Sequence, residues 1–199
     1  MSGPLREGRF YFRRRTRARR IVEDRFVRNF MLAIRPILGG LSRLMLYIAG
    51  IGMIGMTLIV GWQVFGRYVL NDSPSWSEPL SLYLMSWFIM LGAAVGVRES
   101  VHLGLDIVRH VVPPVIQKAM DITSLVLIVL FGLAMTYYST LLAQGTWSAT
   151  IPVLGWPGGT DFFPMIFGGT MIAVFALERL ADIIIGVDVA ADVLVQEAA

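Results

Sequence analysis

The sequence predicts an all-α membrane protein with four transmembrane helices, both termini cytoplasmic, and interfacial amphipathic helices on the cytoplasmic side. Three observations carry this. The 199 residues are 56% hydrophobic and only 16% charged, with a mean hydropathy of +0.68, whereas an ordinary soluble domain is roughly 45–50% apolar and 25% charged. The apolar residues are gathered into four long runs, and the basic residues alternate between the segments that join them. This composition argues against a water-soluble enzyme. With no cysteine in the chain, disulfide frameworks, thiolate nucleophiles and Cys-ligated metal centres are excluded.

Charge divides the chain. Residues 1–43 hold 12 arginines against Glu7, Glu23 and Asp24, a formal +9, and the remainder carries five basic and eleven acidic residues, a formal −6. Residues 1–20 combine eight of these arginines with Gly3, Pro4 and Gly8, which suits a basic disordered tail. In the segment 21–40, Val22, Phe26, Val27, Phe30, Met31 and Ile34 recur at helical spacing with Arg25, Arg28 and Arg35 between them. That pattern predicts an amphipathic helix on the inner leaflet, where anionic lipid headgroups reward each arginine by about 1 kcal/mol. Nucleic acid is not expected as a partner, because like charge alone supplies only nonspecific affinity and no recognition motif accompanies it. A mitochondrial transit peptide would also be arginine-rich, but residues 1–20 are poor in serine.

The transmembrane domain is expected over 41–187, with spans near 44–66, 79–97, 119–143 and 162–185 matching the roughly 20 residues that cross a hydrocarbon core. Leu44 to Gly66, Leu80 to Val97 and Ile122 to Gln144 contain no charged side chain. The fourth run is uncharged from Phe162 to Leu177 and then meets Glu178, Arg179 and Asp182, which are expected to snorkel to water at an interface. With the N-terminus cytoplasmic, the arginine block, Arg98, Arg109, Lys118 and Arg179 all fall inside and Arg67 alone falls outside. This follows the positive-inside rule and makes both termini cytoplasmic. Trp76, Trp147 and Trp156 stand near the expected boundaries as interfacial aromatics, with Trp87 deeper. Residues 188–199 form a short acidic tail carrying Asp188, Asp192 and Glu197.

The spans offer little chemistry. Proton relays and ion pathways need ionisable groups within the bundle, and the span cores hold Thr57, Gln63, Ser86, Thr123, Ser124 and Thr136 instead. These polar residues suit bonds to helix backbones or to a neighbouring helix. No histidine lies in a span, so neither an axial haem ligand nor a base to activate a serine is present there. No catalytic residue, cofactor or metal site is therefore assigned. His102, Asp106 and His110 share an i, i+4, i+8 face that could in principle hold a metal, but the set spans more than one turn at each step. The surrounding Leu103, Leu105, Ile107, Val108, Val111 and Val112, stopped by Pro113-Pro114, read instead as a second interfacial helix.

Small residues mark where helices can approach. Gly92 and Gly96 form a GxxxG in the second span with Ala93 and Ala94 alongside, and Gly50, Gly52, Gly55 and Gly61 thin the first. The sequence leaves open whether such contact is within this chain or with another. Between the first two spans, Asn71, Asp72, Ser73 and Pro74 predict a turn. Ser75 and Glu78 then stand in the S-x-x-E relation of a capping box, with the carboxylate near a helix N-terminus.

This last region carries a family resemblance. Arg67, Tyr68 and Asn71, then Trp76, Ser77 and Glu78, then Trp87, Gly92, Ala93 and Ala94, then Arg98, Glu99, His102 and Asp106 occur in order. The ordered set resembles the small membrane subunit of tripartite ATP-independent periplasmic (TRAP) transporters, the DctQ-type family, which also has four spans and cytoplasmic termini. Two features depart from the pattern. Pro79 stands where a second glutamate is common, although proline suits a first helical turn, and the arginine-rich head lies outside it.

The resemblance implies an accessory subunit in the bacterial inner membrane. Its expected partners are a large polytopic subunit carrying the substrate and sodium sites and a periplasmic solute-binding protein, and its expected role is to brace the former while an organic anion is imported with sodium. Bracing agrees with spans that lack a charged pathway, since moving one element of a transporter requires another that stays still. Segments 67–79 and 144–163 would face the periplasm and help dock the binding protein, with Arg67, Asp72, Glu78 and Asp161 as polar contacts; local capping and headgroup contact is the competing role. The other reading of the chain is a four-helix membrane anchor or assembly subunit of another complex. A stand-alone exporter would want an ionisable residue deep in a span, and Glu78 lies too near the surface.

Overall fold

The computed structural model describes residues 7–72, 74–99 and 113–185, with 7–33 described by backbone alone. Four long helices account for most of them: α1 (Glu7–Phe65), α2 (Ser77–Glu99), α3 (Pro114–Gly145) and α4 (Phe163–Ile185). Each contributes to a stretch long and apolar enough to cross a bilayer, namely Ile34–Leu70, Ser77–Glu99, Val115–Gly145 and Gly158–Ile184. The four expected spans fall on these stretches. Among the described residues the one extended pairing is a bridge between Thr150 and Pro157, so the all-α class holds.

Local signals explain the helix ends. α1 is unbroken across residues 20 and 40, where the sequence suggests divisions between tail, interfacial helix and first span, and it passes through Pro36, whose ring removes one helix hydrogen bond. It closes in a π-helical turn, Gly66–Leu70, followed by Asn71 in the left-handed region at φ 53°, with the Asn71 N–H donating to the Gly66 carbonyl. Asparagine tolerates that conformation. Gly66 is required beside it, because a Cβ there would stand 2.7 Å from the Asp72 carbonyl oxygen. α2 carries Glu78 in its first turn and Arg98 in its last, the favourable order for the helix dipole. α3 starts from Pro113-Pro114, proline being suited to a first helical position. The expected interfacial helix between the second and third spans lies outside the described residues, as do His102, Asp106, His110 and the tail 188–199.

The helices stand in a row, with α1 beside α2, α2 beside α4, and α4 beside α3. Burial follows the row. The inner members α4 and α2 have 39% and 22% of their spans buried, against 6% for α1 and 17% for α3. The main core joins Met45 and Ala49 of α1, Leu91, Ala94 and Val95 of α2, and Ile172 and Phe175 of α4. A second core joins Leu125 and Val129 of α3 to Ala176 of α4. Both use the three- and four-residue spacing that sets side chains on one helix face. The outward faces of α1 and α3 remain apolar and open, as at Ile51, Leu58 and Phe131, and in a bilayer such faces require lipid or protein against them.

Candidate functional site

Of the eleven residues singled out by sequence, the nine that the structure describes do not gather at one place. They separate into a loop end, the half-buried middle of α2 and an opposite end where charges meet. From Ser77 to Arg98 the α2 axis covers roughly 30 Å at 1.5 Å per residue.

At the loop end, the tight turn after α1 presents Arg67 and Asp72 at the surface, and the start of α2 presents Trp76 and Glu78. None of Arg67, Asp72 and Glu78 makes an ion pair among the described residues. Ser77 is fully buried; its hydroxyl donates to the Pro74 carbonyl at 2.7 Å, and the Ser81 hydroxyl donates to the Ser77 carbonyl at 2.7 Å. The helix start is therefore held differently from the expected capping box. α2 begins at Ser77, so Ser75 precedes its first residue by two positions, and the bonding hydroxyl is that of Ser77. The 3-10 turn Gly158–Phe162 sets Asp161 at the surface ahead of α4.

Trp87 is the pivot of an aromatic column. Its ring lies 6.3 Å from Tyr83 and 6.0 Å from Phe167 of α4, and Tyr83 meets Trp156 edge-on at 5.7 Å. Offset and edge contacts of this kind favour a fixed mutual orientation. The depth of Trp87 in its span thus reflects packing between α2, α4 and the loop before α4. Trp76, 42% exposed, remains on the surface.

Among the described residues Gly92 and Gly96 do not mediate close packing: a Cβ at either position would meet nothing there within 4 Å. Sequence reasoning missed the glycines that do. A Cβ at Gly132 would stand 2.8 Å from the Gly169 carbonyl oxygen, and one at Gly168 would stand 2.6 Å from the Met90 Cβ. Beside the first contact, the Thr136 and Thr170 hydroxyls lie 3.3 Å apart across α3 and α4. The Gly168-Gly169 pair was the available signal, but a glycine pair does not name its partner helix.

Arg98 is committed inside the chain. Its Nε donates to Glu178 Oε2 at 3.2 Å, its guanidinium lies 5.9 Å from the Phe175 ring centroid, and its backbone carbonyl accepts from Arg179 Nη1 at 3.3 Å. One turn along α4, Asp182 Oδ1 accepts from Arg35 Nη2 at 2.6 Å. The Glu178 and Asp182 side chains are 10% and 15% exposed, so these carboxylates turn onto arginines of neighbouring helices instead of snorkelling. His102 and Asp106, the remaining two candidates, lie outside the described residues.

Comparison with known proteins agrees with this architecture. A family model described as tripartite ATP-independent periplasmic transporters, DctQ component, matches residues 56–186. The chain is 26% identical over 99 residues to the C4-dicarboxylate TRAP transporter small permease protein DctQ of Vibrio cholerae serotype O1, covering 50% of this chain and 40% of that protein. It is 25% identical over 132 residues to a TRAP transporter small permease protein of Haemophilus influenzae, covering 63% of this chain and 78% of the relative. It is 28% identical over 61 residues to the sialic acid TRAP transporter small permease protein SiaQ of Vibrio cholerae, covering 31% and 35% of the two chains. These relatives are permease subunits, not enzymes.

Proposed function

Because the chain belongs to the DctQ family of tripartite ATP-independent periplasmic transporters, we propose that it is the static accessory subunit of such a transporter, bracing a large polytopic subunit that imports an organic anion with sodium. It is a multi-pass protein of the inner membrane. The observation that carries the bracing role is the distribution of polarity: the mid-span faces are apolar, and the described ion pairs sit near one end of the helices, where they tie helices of this chain to one another. A subunit with that distribution has surface to offer and no charged route of its own. The relatives named for C4-dicarboxylates and for sialic acid support an organic acid as the transported class.

Both termini are cytoplasmic in this reading, which sets the loop end with Arg67, Asp72, Glu78 and Asp161 toward the periplasm and toward a solute-binding protein. The arginine-rich head then lies at the cytoplasmic leaflet among anionic lipids. Gly92 and Gly96, open on α2, are available to a helix of the large subunit.

Affinity purification of a C-terminally tagged chain from native membranes in mild detergent, followed by mass spectrometry, tests the proposal. A stoichiometric, much larger polytopic partner is expected. Recovery of the chain alone, or with an unrelated enzyme, would overturn it and favour an anchor for another complex.

A further inference from the structure

We propose that Glu178 and Asp182, one turn apart on α4, form a two-rung ionic clasp that positions α2 and α1, and that the Asp182 rung fixes the direction in which the arginine-rich part of α1 leaves the row. The rungs are Arg98 to Glu178 at 3.2 Å and Arg35 to Asp182 at 2.6 Å. Each joins α4 to a different helix, so one helix face holds two neighbours at once. Residues 178 and 182 share that face because they are four apart.

The two rungs rest on different supports. α2 packs along α4 through Leu91, Val95, Ile172 and Phe175, so the Arg98 rung reinforces an interface that apolar contact already makes. Arg98 also reaches toward α1, where a Cβ on Gly39 would stand 3.6 Å from its Nη2. α1 lies along α2 and touches α4 over only a short stretch. On α1 the apolar contacts with the core begin at Leu38 and Leu41, beyond Arg35, and continue to Met45 and Ala49; Pro36, between Arg35 and those contacts, removes a backbone bond at that level. The Arg35 rung is thus the described polar tie between the proline-bearing segment and the rest of the row. Asp182, only 15% exposed, would be left as a poorly solvated carboxylate without it. Arg35 and Asp182 are positioning residues.

The absence of native cysteine lets this be read directly. In the full chain reconstituted in lipid nanodiscs, spin labels at Ile37→Cys and Ile184→Cys, both well exposed, report the α1 to α4 distance by pulsed electron paramagnetic resonance. A second label pair, Tyr138→Cys and Met165→Cys, reports α3 to α4 as an internal control. The expected result is a single narrow α1 to α4 distance that is lost in Asp182→Asn and in Arg35→Asp, is recovered in the Arg35→Asp/Asp182→Arg double variant, and is accompanied throughout by an unchanged control distance. An unaltered α1 to α4 distance in the single variants would overturn the proposal. So would failure of the exchanged pair to restore it, or loss of the control distance together with it, which would mark the pair as a general stability element. The measurement needs no transporter partner, so its outcome is independent of the accessory-subunit reading.

Discussion

One added methyl group separates two kinds of glycine in this chain. At Gly132 it would meet the backbone oxygen of Gly169 at 2.8 Å, and at Gly92 or Gly96 it would meet open space. Backbone cannot yield as a flexible side chain can, and overpacking of this kind costs about 1–3 kcal/mol. Gly132→Ala is therefore expected to lower the thermal midpoint of the purified chain in detergent, while Gly92→Ala and Gly96→Ala leave it unchanged; equal effects at all three would refute the assignment of the close contact. In the proposed complex, a reduced yield of the large subunit with the α2 variants alone would mark that face as the intersubunit contact. Backbone strain falls on Val153, a β-branched side chain at φ 74° in the loop before α4 and 59% exposed. Non-glycine residues in that region cost roughly 1–2 kcal/mol. Val153→Gly is expected to raise the midpoint slightly, and a fall would show that the valine side chain contributes more than its strain.

The start of α2 shows how an element can be legible while its mechanism is not. The S-x-x-E spacing of Ser75 and Glu78 locates a helix N-terminus within two residues of the true one, yet the hydroxyl that bonds there belongs to Ser77, buried and donating to the Pro74 carbonyl. Which of two neighbouring serines faces inward depends on the path of the preceding turn, set by Gly66, Asn71 and Pro74, and this is not local to the cap. A lost hydrogen bond of this kind costs about 1 kcal/mol. Ser77→Ala is expected to destabilise the chain by that amount and Ser75→Ala to leave it unaffected, both by thermal unfolding in detergent; the reverse order would restore the capping box. α4 makes the same point through charge. Glu178, Arg179 and Asp182 are visible as an interruption in an apolar run, but their arginine and carbonyl partners lie on α1 and α2.

At the scale of the molecule, the row of helices accounts for the low burial of α1 and α3 and for the two broad apolar faces they leave. A closed bundle would hide those faces; an open row extends the width of membrane one short chain can occupy. Its proposed orientation, with both termini inside, is open to a direct test because the chain has no cysteine of its own. Asp72→Cys and Ser148→Cys, both exposed at the loop end, are expected to react with a membrane-impermeant maleimide added to intact spheroplasts. Lys118→Cys is expected to react only after the membrane is opened. The opposite pattern would invert the topology.

The four spans, their number and approximate limits, and the family to which the chain belongs were determined by the sequence alone, because apolar run length and the ordered residues from Arg67 to Asp106 are properties read along one dimension. The order α1, α2, α4, α3, the choice of Gly132, Gly168 and Gly169 over Gly92 and Gly96 for close packing, and the pairing of Arg98 with Glu178 and Arg35 with Asp182 were decided only by tertiary structure. These partners stand 80 and 147 residues apart in the chain. Every span offers lipid an acceptable apolar surface, so hydrophobicity does not rank one neighbour above another. Steric fit and charge register between helices do.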